Sequence, residues 1–142
     1  MESRRNDADG ELRIRYVHGM KIFELNHVAL MVRDVEKSCA FYSEVLRLEK
    51  ISRPAFDFPG AWFRLGTEQE LHLIGGRTEV VTQMNRANHF ALRTDELTGW
   101  QEHFKRLAIE FRGPKPRPDG AMQIFLHDVD GHLIELFTPS DA

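Results

Sequence analysis

The chain has a single cysteine, Cys39. An intramolecular disulfide is therefore excluded, and a reducing, cytoplasmic setting fits best. Cys39 falls inside a predicted helix and reads as a buried structural thiol. Positive charge is not in excess: 19 Lys and Arg stand against 22 Asp and Glu, a net −3. That balance argues against a nucleic-acid partner, because phosphate binding wants a basic face. Long apolar runs are missing too. None approaches the roughly 18 residues of a membrane helix, and the polar N-terminus lacks the apolar segment of a secretory signal. The composition is not extreme enough for a disordered chain. A length of 142 residues suits one compact domain with a real core.

What the chain does have is an internal repeat. Asn26-His27-Val28-Ala29-Leu30 returns as Asn88-His89-Phe90-Ala91-Leu92, 62 residues further on (27 to 89). Each copy leads through an acidic turn, Asp34 or Asp95, into a pattern of helical spacing. Each half closes on a strand carrying a metal-competent residue: Glu70-Leu71-His72-Leu73-Ile74 in the first, His132-Leu133-Ile134-Glu135-Leu136-Phe137 in the second. The spacing predicts two copies of a strand–helix–strands unit.

Taken in order, residues 1–20 are charged and aperiodic and read as a flexible extension. One domain is expected over 21–138, with modules at 21–76 and 87–138 and a tail at 139–142. Lys21–Val32 alternates as a strand, with His27, Ala29 and Met31 on one face. Asp34 is the expected N-cap of a helix running to about Leu46. Strands are expected near Leu48–Ser52, Trp62–Leu65 and Glu70–Ile74. Arg77–Arg86 reads as a linker. Asn88–Arg93 is a strand and Asp95–Ala108 a helix, with His103 on its exposed side. A strand begins at Glu110–Arg112, and Gly113–Gly120 reads as a stiff, proline-punctuated loop carrying Lys115 and Arg117. Met122–His127 and Leu133–Phe137 form a hairpin turned at Asp128-Val129-Asp130-Gly131, where Asp-Gly supplies the positive φ.

His27, His72, His89 and Glu135 all sit in strands that are otherwise largely apolar. A carboxylate between Ile134 and Leu136 is expensive to bury alone, and a metal ion held with three imidazoles would offset that cost. Any one strand histidine is more often a hydrogen-bonded core or surface residue than a ligand. The repeat raises the joint case, since all four occupy equivalent points of two copies. Trp62 with Arg64, and Gln123 with Phe125, share strand faces from which they could line a pocket. Lys115 and Arg117 could clamp a substrate or simply be solvated.

These residues resemble the vicinal oxygen chelate superfamily, the group of glyoxalases, bleomycin-resistance proteins and extradiol dioxygenases. The likeness spans about Lys21 to Thr138 and includes the ending Asp128-Val129-Asp130-Gly131-His132-Leu133-Ile134-Glu135. It implies an α+β fold of two βαβββ modules, curving a mixed sheet into an open cup with helices on the outer face. It implies His27, His89 and Glu135 as metal ligands, and puts His72 where glyoxalase I-like proteins usually have glutamate. A shell of three histidines and one glutamate suits Zn or Ni first, then Fe or Co, better than Mg or Ca. It further implies a homodimer in which His27 and His72 of one chain meet His89 and Glu135 of the other.

The activity implied first is a metal-dependent, glyoxalase-like lyase or isomerase. Its small substrate would chelate the metal through adjacent oxygens, with Glu135 moving the proton. Trp62, Arg64, Gln123, Phe125, Lys115 and Arg117 would shape the pocket. Alternatives are an Fe(II) extradiol-type dioxygenase using His27, His89 and Glu135, and a metal-free binding protein of the bleomycin-resistance kind. A fosfomycin thiol transferase ranks behind these. Ala29 stands where that group usually has a hydroxyl residue, and the basic segment that usually follows the glutamate is not found after Glu135.

Overall fold

A computed structural model describes residues 20–82 and 88–140. The expected N-terminal extension, apart from Met20, lies outside the described residues, as do the linker positions 83–86 and the last two residues of the tail. The first module runs β1 (His27–Met31), α1 (Val35–Ala40), a π-helical turn (Phe41–Val45), β2 (Lys50–Ile51), β3 (Gly60–Leu65) and β4 (Gln69–Ile74). The second runs β5 (His89–Arg93), α2 (Thr98–Arg106), β6 (Arg112–Pro116), β7 (Met122–His127) and β8 (Leu133–Thr138). Each module makes one four-stranded mixed sheet, in order β1-β4-β3-β2 and β5-β8-β7-β6. The expected α+β pair of βαβββ modules is therefore the observed fold. The helices pack on the face of each sheet opposite the candidate ligands, where Phe41, Tyr42, Phe63, Leu71, Phe104, Ile124 and Ile134 join one buried cluster.

Local chemistry explains the elements. Asp34 caps α1 by accepting from the Lys37 backbone N–H at 3.1 Å. The π turn then widens the helix, with the Leu46 N–H bonded back to the Phe41 carbonyl. This lets Phe41, Tyr42, Val45 and Leu46 all reach the core. In α2 the Glu96 side chain accepts from the Gly99 N–H at 2.8 Å. That acidic turn is why the helix starts at Thr98 rather than at Asp95.

Four expectations are corrected in detail. The first strand starts at His27, not Lys21: its partner β4 begins at Gln69, and the ladder ends where the Asn26 carbonyl accepts from the Glu70 N–H at 3.0 Å. The proline loop is in part a strand: Arg112–Pro116 pairs with β7 across a bulge. Prolines fit there because β6 is the sheet edge, where a missing N–H costs no ladder bond. His103 is half-buried rather than exposed, and its Nε2 donates to the carbonyls of Glu44 at 2.9 Å and Val45 at 3.1 Å. Cys39 is only half-buried. Partial burial, opposed by Lys50 and aided by Glu36, still pushes its thiol pKa up and keeps it a weak nucleophile.

The two modules are joined by the turn between β7 and β8. Asp128 is buried and accepts from the Tyr42 hydroxyl at 2.7 Å and from the backbone N–H groups of Asp130 and His132 at 2.9 and 2.8 Å. Asp130, only 1% exposed, accepts from the Arg33 N–H at 3.0 Å, Arg33 Nε at 2.9 Å and Ser38 Oγ at 3.3 Å. His132 Nε2 donates to the Met31 carbonyl at 2.9 Å. Gly131 has φ +97°, and a Cβ there would collide with the Val81 carbonyl oxygen. Burial first, then the Asp128 charge, drives the Tyr42 pKa far up, so its hydroxyl remains a donor. We expect Tyr42→Phe to leave one Asp128 oxygen without its donor and to cost about 1–3 kcal/mol. Urea denaturation checks this, and an unchanged midpoint would contradict the role given to Tyr42.

Candidate metal and substrate site

The two modules present their candidate ligands in the same register. In the first sheet His27 pairs with Glu70 and Ala29 with His72. In the second His89 pairs with Leu133 and Ala91 with Glu135. His72 and Glu135 are thus structural equivalents, as are His27 and His89. His72 and Glu135 each face an alanine on the neighbouring strand, and that small side chain leaves space beside them. The next strand repeats the match, with Trp62 opposite His72 and Phe125 opposite Glu135.

The second half-site is compact. Glu135 is 4% exposed on the interior strand β8. Its Oε2 accepts from His89 Nε2 at 3.0 Å, and its Oε1 accepts from Gln123 Nε2 at 2.6 Å. Phe125 meets the His89 ring edge-on at 6.0 Å. Arg112 and Lys115 lie 5.8 and 5.9 Å from the Phe125 ring centre. Arg117 sits over Phe137 but directs its guanidinium into Asp119, at 2.9 and 2.6 Å.

The first half-site is a stack of rings. His72 lies flat on Trp62 at 3.9 Å and on His27 at 4.2 Å. His27 Nδ1 bonds to Asn26 Oδ1 at 2.8 Å. Assigned as donor, that nitrogen leaves Nε2 as the free electron pair. His72 Nε2 pairs with Glu70 at 2.7 Å, and Glu70 in turn pairs with Arg64 at 3.6 Å. Glu70 and Asn26 were not singled out in the sequence. Asn26 had a signal, since an asparagine precedes the histidine in both copies. Glu70 had none, because its counterpart in the second module is Leu133.

The structure therefore brings His27 together with His72, and His89 together with Glu135, but does not join the two pairs. No group of three or more His, Cys, Asp or Glu able to hold a metal ion exists among the described residues. His27, His72 and Glu70 are neighbours, yet imidazole lone pairs lie in the ring plane. As stacked here, within 16° of parallel, the two rings do not aim their lone pairs at one point, and holding one ion together requires one ring to turn out of the stack. The donors themselves, imidazole nitrogen and carboxylate oxygen, fit a divalent transition metal.

One titration is set by this geometry. The Arg117 hydrogen bonds, with help from the Ala121 N–H, hold the Asp119 carboxyl well below the usual carboxylate range, at about 2. A depressed carboxylate pKa means the loop contact is intact above the ordinary value and lost as pH falls through about 2. Carboxyl-carbon NMR is expected to find that midpoint, and Arg117→Ala should return Asp119 to the ordinary range. An unmoved midpoint in the variant would contradict the pairing.

Comparison with known proteins supplies the wider context. The family model described as the Glyoxalase/Bleomycin resistance protein/Dioxygenase superfamily matches residues 24–136. Fosfomycin resistance protein FosX of Listeria monocytogenes is 30% identical over 120 residues, covering 79% of this chain and 86% of the relative. A crystal structure of FosX from the same organism superposes with a TM-score of 0.70 at 27% identity, over 84% of this chain and 94% of that one. The mitochondrial methylmalonyl-CoA epimerase of Mus musculus is 31% identical over 130 residues, covering 82% of this chain and 73% of the relative. With the family model spanning both modules and all four candidate ligands, the chain belongs to the glyoxalase, bleomycin resistance and dioxygenase superfamily.

Proposed function

We propose that this protein is a divalent-metal-dependent lyase or isomerase of glyoxalase type. It would move a proton between neighbouring carbons of a small substrate bearing adjacent oxygens. It would work as a homodimer, each site taking His27 and His72 from one copy and His89 and Glu135 from the other. The observation that carries this reading is the split of four donors into two equivalent pairs, one per module, with no third donor completing either pair among the described residues.

When bound, a divalent transition metal such as Zn or Ni supplies a Lewis acid for the substrate's adjacent oxygens. The chain's own residues do the rest. Gln123 holds Glu135 by Oε1, and Oε2, which accepts from His89 Nε2 in this structure, would take and return the proton as general base once that contact is released. Asn26 orients His27 and Glu70 orients His72, the outer contacts that fix a ligand's direction. Trp62 stiffens His72 from one side. Arg64 keeps Glu70 in place. Phe125 walls the second half-site, with Lys115 beside it as the cation for an anionic substrate group. Arg117 would serve there only by giving up part of its hold on Asp119.

A second reading comes from the FosX relative: modification of fosfomycin at the same residues. Parallel assays separate the two, one following isomerisation of the methylglyoxal–glutathione adduct and one following fosfomycin by phosphorus NMR with water or thiol as co-reactant. Under either chemistry Glu135→Gln is expected to lower kcat by about 10²–10⁴-fold while the protein stays folded. Full turnover with metal retained in Glu135→Gln would end the proton-transfer role.

A further inference from the structure

The junction between the modules holds a cavity of about 360 Å³ that the proposed chemistry does not use. Leu46, Leu48 and Leu65 line it from the first module, and Leu92, Trp100 and Leu136 from the second. Trp100 Nε1 donates to Thr94 Oγ1 at 2.9 Å, so the indole has no polar group left to offer. The interior is therefore apolar. Small-molecule pockets run from roughly 300 to 1,000 Å³, are lined mostly by such side chains, and favour domain junctions. Two polar heads stand at the rim, one from each module: Gln69 and Arg93, both exposed. Among the described residues, neither side chain has a hydrogen bond or ion pair. The nearby acids Glu68, Asp95 and Glu96 do not line the cavity, and Glu96 already accepts from the Gly99 N–H.

We propose that this cavity binds a monocarboxylate with an apolar tail, a fatty or aromatic acid. The tail lies among the leucines and Trp100, and the carboxylate sits at the rim on Arg93. A guanidinium fork matches both oxygens of a carboxylate, and the Gln69 amide adds N–H donors from the other module. Neither group has to leave a partner among the described residues to bind it. One guanidinium and one amide suit a single negative charge, whereas a phosphate monoester would keep charge uncompensated and an uncharged ligand would leave Arg93 unmatched. The cavity meets the candidate metal face at Ala91, the register partner of Glu135, yet none of the four candidate donors lines it. The site therefore goes beyond the proposed reaction and needs neither the metal nor a second chain.

Octanoate titrated into the full metal-free chain tests the site, with 1-octanol as the uncharged control. A Trp62→Phe background leaves Trp100 as the one tryptophan, and its fluorescence is the readout. Octanoate is expected to shift that signal saturably. Arg93→Gln, an exposed change, is expected to weaken octanoate about 10-fold or more and to leave 1-octanol unaffected. Leu48→Phe, which adds volume to the wall, is expected to weaken both. No saturable response to octanoate at millimolar concentration overturns the site, and so does undiminished binding to the Arg93→Gln chain. A response that a folded Leu48→Phe chain leaves unchanged puts the ligand elsewhere and overturns it as well. Octanoate that binds only after residues 1–19 are removed, or only to single chains at high dilution, gives the cavity to that segment or to a second copy, and the proposal fails.

Discussion

Two buried carboxylates hold the molecule together. Asp128 and Asp130 lie in one four-residue turn, and burying them would cost several kcal/mol each if they were unpaired. Tyr42, Ser38 and Arg33 from the first module, with the turn's own backbone, supply the donors. Because those donors come from β1's end and the following helix, satisfying the turn also fixes where the second module sits. The turn leads directly into β8, so the contact that locks the modules also sets the height of Glu135. The Gly131 backbone lies against Val81, which leaves no room for a side chain.

That docking gives the chain a shared core on the helix sides and two sheet faces left open. On each open face the register is the same, and the pairs of candidate donors follow from it. The duplication therefore does more than double a fold. It places two pairs of candidate donors, His27 with His72 and His89 with Glu135, at matching registers of the two sheets. In the first pair His72 is stacked between His27 and Trp62. In the second, Gln123 and His89 already bind the two oxygens of Glu135. Under the proposed shared site the first pair would supply two nitrogen donors and the second a nitrogen and a carboxylate.

The sequence revealed the repeat, the element order and the fold class because these depend on local patterns: apolar alternation, the Asp34 cap and the Asp-Gly turn. It also revealed which residues share a face, since strand parity is a property of the chain alone. It misled where the outcome depends on a neighbour. Lys21–Leu25 alternates like a strand but is paired with no strand among the described residues. Gly113–Pro116 looks like a loop but pairs as an edge strand. His103 reads as a surface residue by helical spacing, but the carbonyls of Glu44 and Val45 lie beside it. The helix start at Thr98 turned on a side-chain cap from Glu96. Glu70 carries no signal in the repeat, because the second copy has Leu133 at the equivalent point.

The central claim is that each site draws on two chains, and subunit complementation addresses it directly. His27→Ala and Glu135→Ala proteins are purified separately, then mixed under conditions that allow chains to exchange. Shared sites predict that neither parent binds metal or turns over substrate. The mixed dimer then regains one intact site, built from the unaltered His27 and His72 of one chain and the unaltered His89 and Glu135 of the other. If exchanged dimers form and stay empty and inactive, the four ligands belong to a single chain and the account fails.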